Sequence, residues 1–183
     1  MEIVLLRHGK PDVDLAGNFN AAELKQLVVD YLESGIKDFA PAELKSQFHS
    51  HYVVCSNLER SKQSARNIGF DKISYSDVLF SETNIPHFDH SPFKLPVSIW
   101  IVVLRLFWLF GFSKNGESFT QAKFRARQAA SKLIEIAEEH NNVILVGHGL
   151  MNRLIAHYLR QLGWRGSPSP GKKYWSYGKY TKQ

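Results

Sequence analysis

Short, continuous apolar runs alternate along this chain with longer stretches in which apolar side chains recur every three or four positions. The runs at Glu2 to Leu6, His51 to Cys55 and Val143 to Val146 read as buried strands, and Ile73 to Leu79 as a weaker fourth. Asn20 followed by Glu23 has the form of a capping box. Leu24, Leu27, Val28, Tyr31 and Leu32 then keep helical spacing, and Gly35 suits the stop. Ser56 is placed to cap a second helix running to about Ile68, stopped by Gly69. Glu117 to His140 reads as a long helix with Phe124, Ala130, Leu133, Ile134 and Ala137 inward and Asn141-Asn142 as its breaker. Leu150 to Leu162 reads as the last helix, Gly163 to Lys173 as a basic loop, and Tyr174 to Tyr180 as an edge strand. Strands alternating with helices predict an α/β fold, a three-layer α/β/α arrangement with a mostly parallel central sheet.

One segment breaks the pattern. Leu95 to Phe112 is apolar almost throughout, with Pro96 near its start and Arg105 near its middle. It is at the short limit for a span of about 20 residues. A charge near the bilayer centre costs about 2.5–3.5 kcal/mol. The reading is a helix packed against the main domain, with a lid facing an apolar substrate, a partner or a membrane surface as the alternative.

At 183 residues the chain suits one domain with a full core rather than two. A single domain over 1–183 with a cap insertion at about 81–114 is therefore expected. Its 44% apolar and 22% charged residues exclude wholesale disorder. Cys55 is the only cysteine, so no intrachain disulfide forms, and its apolar surroundings predict a buried thiol. No basic segment followed by an apolar one opens the chain, and a cytoplasmic location is the default expectation. The formal net charge is +6, and no Asp or Glu follows Glu139. This basic tail reads as a solvated surface or as steering for anionic substrates. No nucleic-acid-binding motif accompanies it, and no nucleic-acid partner is expected.

The candidate chemistry lies in two short motifs at strand ends. Leu-Arg-His-Gly-Lys (Leu6 to Lys10) follows the first strand, and Val-Gly-His-Gly-Leu (Val146 to Leu150) follows the last. In an open α/β sheet ligands bind in the crevice at the carboxyl ends of the strands. Arg7, His8, Arg60 and His148 can meet there. Arg offers a fork of donors matched to phosphate oxygens. Neutral imidazole is an accepted nucleophile, and a second His can stabilise charge on the transferring group. Gly9 and Gly149 leave room for backbone to approach an anion. No metal-ligand spacing accompanies these histidines, so neither a metal nor another cofactor is expected.

These motifs resemble the histidine phosphatase superfamily, the phosphoglycerate-mutase-like proteins, in four blocks taken in order. They are Leu6 to Lys10, Ser56 to Ala65, Gly116-Glu117-Ser118 with Arg125, and Val146 to Gly149. The resemblance implies a phosphoglycerate-mutase-like fold, with His8 as nucleophile, His148 as the second catalytic histidine, and Arg7 and Arg60 as phosphate ligands. It also puts Gly9, Gly149 and Asn18 beside the phosphate. Glu82 is the expected general acid, in Leu79-Phe80-Ser81-Glu82-Thr83. The stretch after it, Asn84 to Asp89, departs from the family pattern and leaves Asp89 as the alternative acid. The implied activity is a metal-independent phosphomonoester phosphatase acting through phosphohistidine. A phosphoglycerate-type mutase and a non-catalytic phosphate-binding or membrane-associated regulatory module are the alternatives. The aromatic cap points to a small phosphomonoester with an apolar or aromatic leaving group, and a homodimer is an alternative way to cover that cap.

Overall fold

The structure is a computed structural model, and it describes every residue except Ile85 and Gln183. Eight strands and six α-helices follow in chain order among the described residues: β1 (Glu2–Arg7), β2 (Asn18–Phe19), α1 (Ala21–Glu33), α2 (Ala42–Gln47), β3 (Tyr52–Ser56), α3 (Glu59–Asn67), β4 (Tyr75–Asp77), β5 (Leu95–Pro96), α4 (Val97–Leu109), α5 (Phe119–His140), β6 (Asn142–Gly147), α6 (Gly149–Gln161), β7 (Arg165–Gly166) and β8 (Tyr177–Thr181). The main sheet has the order β4-β3-β6-β1-β8-β7. Its first four strands are parallel, and β8 runs antiparallel to both β1 and β7.

The central strands are apolar without interruption because both sheet faces are covered. Successive side chains point to opposite faces. Ile3, Leu5, Val143 and Leu145 pack with Ala130, Leu133 and Ala137 of α5 and Met151 and Ile155 of α6. Val4, Leu6, Val53, Ile144 and Val146 pack on the other side with Leu44, Phe48, Ala65 and Ile68, the layer of α2 and α3. The three-layer α/β/α arrangement follows from this alternation. Cys55 is buried in the second layer, where burial pushes its thiol up to about 12.

The cap is a separate small assembly. Ala21, Leu24 and Leu27 of α1 bury Val97, Trp100 and Leu104 of α4, and β2 pairs with β5 beside them. The indole N–H of Trp100 donates to the Phe19 carbonyl at 2.7 Å, and that of Trp108 to the Glu117 carbonyl at 2.6 Å.

Several elements differ from the sequence reading. Val28, Leu32 and Phe124 face solvent, although their spacing places them on a core stripe. The buried faces are narrower: Ala21, Leu24 and Leu27 in α1, and Ala122, Ala126, Ala129, Ala130, Leu133, Ile136 and Ala137 in α5. Ser56 ends β3 rather than capping α3, whose N-cap is Leu58. Tyr177–Thr181 is an inner strand between β1 and β7, not the edge. The helix within Leu95 to Phe112 buries only one side against the domain. The capping boxes at Asn20/Glu23 and Ser118/Gln121 are both formed.

Leu133 and Phe124 share the same sequence pattern but have opposite environments, at 0% and 64% exposure. Leu133→Ala should destabilise the protein by about 2–5 kcal/mol. Phe124→Ser should change stability by no more than about 0.5 kcal/mol. Urea unfolding monitored by circular dichroism distinguishes the two; equal costs would overturn this placement of α5.

Candidate active site

Pairing of β1 with β6 sets Arg7 opposite Gly147, so the two histidines that follow these strands emerge side by side. The His8 amide donates to the Gly147 carbonyl at 3.0 Å, and the two imidazole centroids lie 5.0 Å apart. Serines of α3 fasten both turns. Ser64 Oγ accepts from the Gly9 amide at 2.9 Å and donates to the Arg60 carbonyl at 2.6 Å. Ser61 Oγ donates to the Val146 carbonyl and accepts from the Ser56 amide.

Hydrogen bonding fixes the state of each ring. His8 Nδ1 lies 2.6 Å from the Gly9 carbonyl. A carbonyl only accepts, so Nδ1 carries the proton and Nε2 keeps a free lone pair. His148 Nε2 lies 2.7 Å from Ser56 Oγ, which also accepts from the Leu58 amide. With the Leu58 amide as its donor, the Ser56 hydroxyl has its own proton to give to Nε2, and in that arrangement the His148 proton is on Nδ1, a buried atom with no protein partner. Burial first, then the Arg60 and Arg7 charges, push His8 down to about 3, against the pull of the Gly9 carbonyl. His148, fully buried, is held well below the usual histidine range by burial and then by His8, Arg60 and Arg7.

The two arginines are mounted alike. Arg60 is inaccessible to solvent. Its Nη1 donates to the Tyr31 carbonyl at 2.7 Å, and its guanidinium lies 4.6 Å from the Tyr31 ring centroid. Nε and Nη2 have no partner. Arg7 Nη1 donates to the Lys172 carbonyl, the guanidinium lies 4.3 Å from the Tyr174 ring centroid, and Nε has no partner. Tyr174 is also 5.8 Å from the His8 ring. Each arginine is therefore pinned at one corner and stacked on one face, with a buried donor edge left unmatched. Buried donors are nearly always satisfied. Four without a protein partner (Arg7 Nε, Arg60 Nε and Nη2, His148 Nδ1) beside a free imidazole lone pair suit an anion.

Glu82 reaches the same place from the cap side. Its carboxylate accepts from the amides of Leu150 at 3.2 Å and Met151 at 3.1 Å, at the N-terminus of α6, and from Thr83 at 3.0 Å. Arg125 holds the backbone that carries it, donating to the carbonyls of Leu79 at 3.1 Å and Ser81 at 2.8 Å. Glu117 fixes Arg125 in turn with a two-point ion pair at 2.7 and 2.8 Å. Asp89 sits elsewhere, bound to Lys114 at 2.7 Å and to Asn115, and the Lys114 hydrogen bond holds its carboxyl below the usual range.

Arg7, His8, Arg60, Glu82, His148 and Gly149 are thus brought together. Asn18 is not. It lies on the exposed β2 and lines a surface groove with Glu23, Gln26 and Asp30, where two carboxylates repel a phosphate. Gly9 is used differently from expectation. Its amide is taken by Ser64, and a Cβ there would meet the Trp175 ring at 2.4 Å and Asp38 Oδ1 at 2.6 Å. A Cβ on Gly149 would press on the Arg7 guanidinium at 3.2 Å. Tyr31, Tyr174, Ser56 and Ser64 escape the sequence reading. Ser56 and Ser64 lie within a recognised block, but nothing marks the tyrosines or the carbonyls behind them. Two guanidinium groups facing this space favour an anion over a metal ion.

A family model for the histidine phosphatase superfamily (branch 1) matches residues 3–171. No curated protein sequence matches the chain. Among solved structures, a mycobacterial glucosyl-3-phosphoglycerate phosphatase is 20% identical, with 97% of this chain and 88% of that one covered and a TM-score of 0.64. The α-ribazole phosphatase of Shigella flexneri is 18% identical, with coverages of 88% and 79% and a TM-score of 0.54. A phosphoserine phosphatase from Entamoeba histolytica is 16% identical, with coverages of 87% and 80% and a TM-score of 0.54. At such identities these likenesses establish the fold.

Removing the buried charge exposes its purpose. Arg60→Met should leave the ligand-free protein as stable or more stable, by up to about 3 kcal/mol, because unmatched buried donors disappear. It should also abolish the rise in Tm caused by inorganic phosphate. Retained phosphate stabilisation in Arg60→Met would remove Arg60 from the anion site.

The histidines set an acid limit. Unfolded His8 binds a proton near pH 6.5, whereas folded His8 does so only near about 3. Between these values the unfolded chain binds more protons, so this contribution to stability is full above about pH 6.5 and is lost as pH falls. His8→Gln should flatten the dependence of unfolding free energy on pH in that window by up to about 1.4 kcal/mol per unit. Urea titrations at stepped pH measure this, and an unchanged slope would contradict the neutral state of His8.

Proposed function

The chain belongs to the histidine phosphatase superfamily (branch 1), and on that premise we propose that it is a metal-independent phosphomonoester phosphatase that works through phosphohistidine. One observation carries this reading: a buried imidazole with a free Nε2 faces buried, unpartnered guanidinium and imidazole donors. His8 Nε2 attacks phosphorus, the bond to the leaving oxygen breaks, and Glu82 gives that oxygen its proton. Water then attacks the phosphohistidine while the Glu82 carboxylate takes the water proton, and the N–P bond breaks to free His8 and phosphate. Arg7, Arg60 and His148 hold the equatorial oxygens in both steps. Gly149 keeps backbone close to Arg7, and Arg125 with Glu117 holds the loop of Glu82 against α6.

The substrate reading rests on what lines the anion site beyond its charges. Trp100 and Trp108 are spent on cap packing, with their N–H groups bound to backbone. The aromatic surfaces that remain beside the arginines are Tyr31 and Tyr174. They suit an apolar or aromatic leaving group better than a small sugar acid. Lys94 and Lys114 of the cap are taken up by Glu23 and Asp89 rather than held for a second phosphate, which favours water over a rebound product as the acceptor and disfavours mutase activity.

His8→Ala should abolish phosphate release from p-nitrophenyl phosphate in the presence of a chelator. Retained turnover would sink the assignment. Glu82→Gln should slow release from an alkyl phosphate by about 10²–10⁴-fold. It should slow p-nitrophenyl phosphate less, since nitrophenolate leaves without a proton. Equal losses would take the acid role from Glu82. An aryl phosphate should have the higher kcat/KM when compared with 3-phosphoglycerate, and the reverse order would discard the apolar leaving group. A wild type that binds phosphate but turns over neither substrate would favour the non-catalytic module.

A further inference from the structure

Helix α4 is apolar on every side, yet only one side is covered. Val97, Trp100, Leu104 and Trp108 are buried. On the opposite arc Ile99 is 46% exposed, Val102 58%, Leu106 51%, Leu109 54% and Phe110 89%. At 100° per residue these five form one contiguous face. A helix apolar all round belongs inside a protein or in lipid, and an exposed face of this kind marks a contact surface. None of the described helices is long and apolar enough to cross a membrane. At about 1.5 Å per residue α4 spans about 20 Å, short of the roughly 30 Å of a bilayer core.

The charges around the face choose among its occupants. No Asp or Glu lies between Asp89 and Glu117, while Lys94, Arg105 and Lys114 do. Lys94 and Lys114 pair with Glu23 and Asp89. Arg105 flanks the exposed arc and has no carboxylate partner among the described residues. It sits near Arg153 of α6, whose Nε donates to the Gly149 carbonyl at 3.2 Å. After burial, Arg105 is the main reason that the Arg153 guanidinium lies below the usual arginine range. Arg105 is therefore the cation beside the apolar face that no carboxylate compensates among the described residues. A two-fold pairing of copies through α4 would set this cation against its counterpart with no acid in the segment to relieve it. An anionic lipid surface meets both demands, since acyl chains take the apolar arc and headgroup phosphates take the arginines.

We propose that the exposed face of α4 is an interfacial docking surface for anionic membranes, on which the helix lies in the plane of the bilayer with Arg105 at the headgroups. This contact is independent of turnover, because none of these side chains belongs to the anion site.

Co-sedimentation of the full chain with vesicles tests it. One set contains phosphatidylcholine and phosphatidylglycerol, and the other phosphatidylcholine alone. The expected result is binding to the first set at low salt and weak binding to the second. Leu106→Asp should reduce binding at least about tenfold, since it replaces a buried Leu contact with a charge. Arg105→Glu should reduce it at least about fivefold and lessen its salt dependence. Both variants should keep wild-type phosphatase activity and phosphate-induced thermal stabilisation, which shows that they fold. Absence of anionic-vesicle binding, binding unaffected by either variant, or equal binding to the two vesicle sets would overturn the proposal. So would a wild-type dimer that Leu106→Asp dissociates in light scattering, which would make the face a self-interface.

Discussion

A guanidinium inside a protein, with half its donors unmatched, is the constraint around which this molecule is built. Arg60 has no solvent exposure, and its Nε and Nη2 have no protein partner. Such a group is tolerated only if the surroundings hold it firmly and a counter-charge arrives. The Tyr31 carbonyl and ring fix one corner and one face, and α3 fixes its backbone through Ser64. Ser64 also holds the Gly9 amide, so the nucleophile turn and the arginine are set by one hydroxyl. The sheet supplies the remaining rigidity, because β1, β3 and β6 are buried on both faces and have no freedom to shift register.

The same cations prepare the histidines. Burial and the two arginines hold His8 neutral, the state that the proposed attack on phosphorus requires. His148 is held neutral for the same reasons, with His8 as a further cause. An arriving phosphoryl dianion reverses these signs at once. It compensates the guanidinium charges and makes a protonated His148 favourable just where charge spreads onto the equatorial oxygens. Burial and mutual repulsion lower His8, His148 and Arg60 together, a balance that an anion would offset, and perturbed groups of this kind concentrate at functional sites.

Legibility in the sequence followed the range of each interaction. Strands buried on both faces announced themselves as continuous apolar runs, and capping boxes are local, so β1, β3, β6, α1 and α5 could be placed. Arg7, His8 and His148 stood out because they follow buried strand runs beside glycines, and the family resemblance added their roles and that of Arg60. The rest depends on residues far apart in the chain. Tyr31 and Tyr174 are indistinguishable from core aromatics until Arg60 and Arg7 lie against them. The Lys172 carbonyl that pins Arg7 has no sequence signature at all. Ser56 looked like a helix cap because a Ser after a strand is the usual signal, but α3 starts later, after Leu58, and the hydroxyl is shared between the Leu58 amide and the His148 ring. Asn18 lay on the right loop by order, yet pairing of β2 with β5 carries it out to the cap edge.

The cap obeys a different logic from the site. Its tryptophans hold it to α1 and to Glu117, and Glu117 in turn orients Arg125 and the loop of Glu82. Trp108, Glu117, Arg125 and the Ser81 carbonyl therefore form one chain of contacts between the buried side of α4 and the backbone beside Glu82. Arg153 adds an electrostatic path, since it feels Arg105 on the cap and Glu82 and Arg7 in the site. Cap and site are thus joined by a hydrogen-bonded chain and by a run of charges, and the exposed apolar arc of α4 takes part in neither.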